Sequence, residues 1–185
     1  DSRKSRGLGD VYKRQRSSVA DPSLEEVSEN LIVLGVLEAL AGELACKHAS
    51  DAEITQILEL CDRMRNASLE TDPLNFFSWD MEFHQSIVRA ARNTPLMESH
   101  RVYNARLWRA RFISSKRRTS QDTMLGHHDL IAEALQKRDG PEAGRQLRRH
   151  LETAVINITE ALGTKNQAVS ENPTNNHSKK NLSDG

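Results

Sequence analysis

Apolar positions recur at spacings of three and four through the middle of the chain, and no useful length alternates apolar and polar residues as a strand would. The pattern predicts helices, and local start and stop signals divide it into six. Ser23 with Glu26 and Ser50 with Glu53 have the capping-box spacing, in which the serine oxygen and the glutamate carboxylate satisfy backbone donors that a first helical turn leaves unpaired. They open helices near 24–48 and 51–67. Asp72-Pro73, Thr94-Pro95 and Gly140-Pro141 put proline at a first helical position, where its missing N–H has no intrahelical role. Those helices run near 73–91, 95–116 and 141–162. Ser120 is the expected cap of the remaining helix, near 121–138, which stops at Asp139-Gly140. Short connections between long amphipathic helices favour antiparallel neighbours, so the expected fold is all-α, an antiparallel bundle of six helices.

The ends of the chain do not share this pattern. Asp1 to Gln15 (DSRKSRGLGDVYKRQ) has no usable period and resembles translated library-adapter sequence, so 1–22 is set aside as non-native or disordered. Residues 163–185, rich in Asn, Ser, Lys and Gly, hold too few apolar side chains to offset the entropy of ordering and are expected to form a disordered tail. One domain over 23–162 remains, an expectation that a length of 185 residues allows.

Charge narrows the partners. Lys+Arg and Asp+Glu both number 26, so no global field draws the chain toward nucleic acid or an anionic membrane. The short basic run Lys116, Arg117, Arg118 lacks interleaved aromatic residues and reads as a solvated loop. Cys46 and Cys61 have no metal-ligand spacing and read as reduced core thiols. With no apolar run long enough to span a bilayer, a cytoplasmic protein without membrane contact is expected.

The chemistry lies in the helical stripes. From Pro73 the inward positions read Phe77, Asp80, His84, Ile87, Ala91; the next-to-last helix gives Met124, His128, Ile131, Leu135, and the last gives Ala143, Leu147, His150, Ala154, Ile158. A single inward histidine is more often a hydrogen-bonded core residue than a ligand. Four such groups together are costly to bury without partners, and a divalent cation would satisfy Asp80, His84, His128 and His150 at once. Three nitrogens and one oxygen suit Zn²⁺ or Ni²⁺ with positions left open. Of the other histidines, His48 ends a helix, His127 is turned about 100° from His128, His177 lies in the tail, and His100 shares a stripe with Leu96, Tyr103 and Leu107 and could line a cavity.

The segments VLGVLEALAGELACKHASDAEI, DMEFHQSIVRAARNTPL, HHDLIAEALQKRDG and AGRQLRRHLE, in that order, resemble the FadR-type C-terminal effector (FCD) domain of GntR-superfamily transcription regulators, over about residues 24–162. The resemblance implies that Asp80, His84, His128 and His150 bind the metal. It matches Asn93 to the Asn that follows the ligand helix, a position that equally suits a helix boundary. The family usually carries an Arg shortly before the L-E of its first helix; here Gly35 stands near Leu37-Glu38, which puts one common effector or packing contact in doubt. Arg106, Arg109 and Arg111 lie on the helix expected to cover the metal, and one turned inward would pair with a carboxylate ligand. With Asn93 and His100 they are the candidate effector contacts.

The function expected from this reading is ligand sensing, not catalysis: a small organic acid binds at the metal and changes how a homodimer's DNA-binding domains are held. The resemblance implies a winged helix-turn-helix, for which this chain has no room. Two competitors stay open. One is a metal-dependent hydrolase, for which Glu82 falls on the wrong helix face to act as base; the other is a structural bundle whose histidines are packing groups.

Overall fold

The computed structural model describes residues 22–67, 71–116 and 118–170, with side chains left aside at 118–123 and 163–170. The adapter-like stretch and the tail from 171 onward lie outside the described residues. Six helices follow in order: α1 Leu24–His48, α2 Asp51–Arg65, α3 Pro73–Ala90, α4 Thr94–Ser115, α5 Arg118–Gln136 and α6 Gly140–Ser170. No strand occurs among the described residues.

The start signals act as their chemistry requires. Ser23 and Ser50 each accept a bond from the backbone N–H three residues on, and Glu26 and Glu53 reach back to the serine N–H. Asp72 caps α3 through Leu74 N, ahead of Pro73. Asp139 caps α6 through Glu142 N. The turns before α4 and α6 bend on arginine where glycine would be the easier residue. Arg92 and Arg138 take φ of 56° and 58°, the left-handed region that costs a β-carbon energy. Each is tied to the start of α2: Arg92 pairs with Glu53 at 2.8 Å, and Arg138 with Asp51 at 2.6 Å while also donating to the Ala49 carbonyl.

Two boundaries differ from expectation by more than two residues. α5 begins at Arg118, so Ser120 lies inside the helix and does not cap it; nothing between 118 and 123 breaks a helix. α6 runs to Ser170, past the expected end near 162. No proline follows Gly163 until Pro173, and a helix already nucleated over about six turns adds residues at little further cost.

α1 packs on α3, α4 and α6, α2 on α3 and α5, and α5 on α6. The core falls into two apolar clusters. The larger joins Ala41 and Ala45 of α1 to Ile57 and Met64 of α2, Phe83 and Ile87 of α3, Ile131 and Leu135 of α5 and Leu147 of α6. The smaller joins Val27, Leu31 and Leu34 of α1 to Leu107 and Ala110 of α4 and Leu151 and Ile158 of α6. Glu38 lies between Leu34 and Ala41, and His150 between Leu147 and Leu151. The buried polar residues thus form a layer between two apolar ones.

Candidate metal centre

Asp80 and His84 sit one turn apart on the buried face of α3, His128 enters from α5 and His150 from α6; all four are buried. One ligand atom from each lies within 4.8 Å of the others. His128 Nε2 is 3.2 Å and His84 Nε2 3.6 Å from Asp80 Oδ1. The ring centroid of His150 is 4.9 Å from that of His84 and 4.7 Å from that of His128.

Donors held about 2.1 Å from one ion can stand at most about 4.2 Å apart, so the widest of these separations closes with a small side-chain adjustment. Asp80 Oδ1, His84 Nε2, His128 Nε2 and His150 Nδ1 are buried and make no hydrogen bond. Unpaired buried acceptors and imidazoles are costly, so four of them converging on one point fit a cation that satisfies them together.

Electrostatics separates the three imidazoles. Burial lowers His150, and the neighbouring His128 and His84 push it further, so it is held well below the usual histidine range. Burial also lowers His128, against the pull of Asp80. For His84 burial acts the same way, but Glu38 and Asp80 outweigh it and raise it to about 9. Asp80, which burial alone would raise, is held well below the usual carboxylate range by His128, His84 and Arg111. Burial thus favours neutral rings at His128 and His150, whereas the flanking carboxylates favour the protonated form of His84.

The carboxylate that the sequence reading passed over is Glu38. It is buried in α1, with Oε2 at 2.6 Å from His84 Nδ1 and Oε1 at 3.1 Å from His100 Nε2. Burial would raise its pKa, but His84 and His100 keep it well below the ordinary value. The signal was present: Leu31, Leu34, Gly35, Glu38, Ala41, Gly42 and Ala45 form one buried stripe, and Glu38 is its single charge.

The candidate effector residues separate. Arg111 is buried, donating to Asn104 Oδ1 at 2.9 Å and to Asp80 Oδ2 at 3.3 Å, so of the three arginines it is the one turned inward against the candidate ligand Asp80. Arg106 is exposed and lies over the Tyr103 ring, and Arg109 is exposed on the outer face of α4; neither joins the cluster. Asn93 caps α4 by accepting from Leu96 N at 3.0 Å, which is a helix-boundary role. His100 is buried against Glu38, one residue removed from His84. His127 is half-buried, and its ring is 5.9 Å from that of His150. Glu82 faces outward and pairs with Arg89 at 2.5 Å.

Two cavities flank the polar layer. A narrow one of about 20 Å³ beside the cluster is lined by Asp80, Arg111, Ser114, His150 and Asn157 among others. A wider cleft of about 240 Å³ between α3 and α4 has His100 and Asn104 in its lining.

The model of the FCD domain family matches residues 31–153. The HTH-type transcriptional repressor RspR of Escherichia coli is 24% identical over 146 residues, covering 79% of this chain and 64% of the relative. The uncharacterized HTH-type transcriptional regulator YdfH of Shigella flexneri matches to the same extent. The chain thus spans a little under two thirds of the length of the curated relatives it matches. No helix among the described residues is long and apolar enough to cross a membrane.

Proposed function

The chain belongs to the FCD domain family, and on that premise we propose that it is the ligand-sensing part of a helix-turn-helix transcription regulator, in which Asp80, His84, His128 and His150 hold a divalent metal and a small organic acid completes the site. The observation that carries this reading is the convergence of four buried side chains, each with a ligand-type atom that makes no hydrogen bond. Three imidazoles and a carboxylate suit Zn²⁺ or Ni²⁺, and such an ion supplies a Lewis-acidic position to which a carboxylate can bind.

Charge balance favours an anion as effector. Without metal, the buried carboxylates of Glu38 and Asp80 are matched by protonated His84 and Arg111. A divalent cation that displaces the His84 proton leaves the layer with one surplus positive charge, and a bound carboxylate cancels it. The acid has little room in this arrangement, because a cavity of about 20 Å³ holds no more than about one water. Its binding therefore selects a more open packing of α4 and α6 over the cluster. That differential affinity for two states is what a sensor requires. In the parent regulator, a homodimer, the change would alter how DNA-binding domains are presented. Glu82, the carboxylate weighed as a base, is ion-paired on the outside, and Glu38 is engaged by His84 and His100, so neither favours the hydrolase alternative.

Thermal melting of the metal-loaded chain against small mono- and dicarboxylates tests the reading. A saturable rise in melting temperature that is larger with metal bound than after chelation is expected; no metal-dependent shift across the panel would overturn the sensor.

A further inference from the structure

The cleft between α3 and α4 is separate from the metal cluster in its lining and an order of magnitude roomier than the cavity beside it. Its walls are Gln85, Val88 and Arg89 of α3 and Met97, His100, Arg101 and Asn104 of α4. The composition is amphipathic: Val88 and Met97 give an apolar surface, while the exposed Arg89 and Arg101 stand at the rim. Two polar residues of the lining, His100 and Asn104, are buried and fixed from behind, His100 by Glu38 and Asn104 by Arg111. Ligand sites are commonly built this way, as an apolar concavity with a few convergent polar groups on a rigid support.

We propose that this cleft is a second ligand site, taking an acid with a short aliphatic body that lies on Val88 and Met97 and a carboxylate that meets Arg101 and Arg89. Arg89 is also paired with Glu82 and Ser86, so Arg101 is the main anchor for the acid group. The proposal goes beyond the metal-linked sensor, because binding here needs no metal.

Hexanoate is the probe, with hexan-1-ol as its uncharged counterpart, each titrated calorimetrically into the full chain before and after chelation. Saturable hexanoate binding that persists without metal, at least about tenfold tighter than hexan-1-ol, is expected. Arg101→Glu, on the exposed face, should weaken it by about tenfold or more, a loss of the size that follows from replacing an attractive charge with a repulsive one. Met97→Trp, which fills the cleft, should abolish it while the helical signal is retained. Absence of saturation, equal binding of hexan-1-ol, indifference to Arg101→Glu, or loss of binding on chelation would each overturn the proposal. Metal analysis of the same samples keeps the two readings apart. A chain that binds hexanoate but no metal refutes only the metal-linked sensor, and one that binds metal but no hexanoate refutes only the cleft.

Discussion

Glu38 Oε2 stands 2.6 Å from Nδ1 of His84, on the side of the imidazole opposite the nitrogen that faces Asp80. A carboxylate in that place fixes the ring's orientation and raises its basicity as a ligand.

Replacing Glu38 by Gln keeps the volume and removes the charge. Metal affinity should fall about 10–100-fold, as measured by competition with a chromophoric chelator, while the helical content stays unchanged. Affinity equal to that of the unaltered chain would show that Glu38 serves packing alone.

Proton release should report His84 specifically. In the metal-free chain its raised value of about 9 keeps it protonated at neutral pH, whereas His128 and His150 are lowered and already neutral. Metal binding at about pH 7.5 should therefore release about one proton, read by calorimetry in buffers of different ionisation enthalpy. The sign for stability follows from the same shift. A folded value above the unfolded one means that this contribution is complete below the ordinary histidine range and is lost as pH rises through about 9. Release of no proton would contradict the charge assignment.

Two glycines should respond oppositely to alanine. A Cβ at Gly42 would come 2.4 Å from Leu147 Cδ1, a fully buried side chain, where α1 passes α6. Gly42→Ala should destabilise by about 1–3 kcal/mol. At Gly126 of α5 nothing lies within 4 Å of the added atom, so Gly126→Ala should stabilise by about 0.5–1 kcal/mol through lower unfolded-chain entropy. Urea unfolding of both variants measures the difference.

Where the sequence was informative, the reason was local or periodic. Ser23 and Ser50 announce helices because a cap needs only its own first turn, and Asp80, His84, His128 and His150 share the period of the apolar residues around them. What escaped depends on tertiary geometry. A single Glu on a long helix reads as solvated, and only the approach of α3 and α4 gives Glu38 its two imidazoles. Arg106, Arg109 and Arg111 are indistinguishable by composition; the crossing of α3 and α4 puts Arg111 against Asp80 and leaves the others outside. The start of α5 and the end of α6 were misplaced because Ser120 is a permissive cap that a continuing helix can absorb, and the polar stretch after 162 holds no proline before Pro173.

The central claim is that four buried side chains hold one ion, and the metal content of the purified chain tests it most directly. Elemental analysis should find one equivalent of a divalent transition metal, with chelation lowering the melting temperature. His128→Ala should lose the ion, and His127→Ala, which alters the adjacent residue outside the cluster, should keep it. A chain without metal whose melting is indifferent to chelation, or equal loss in both variants, would contradict the account.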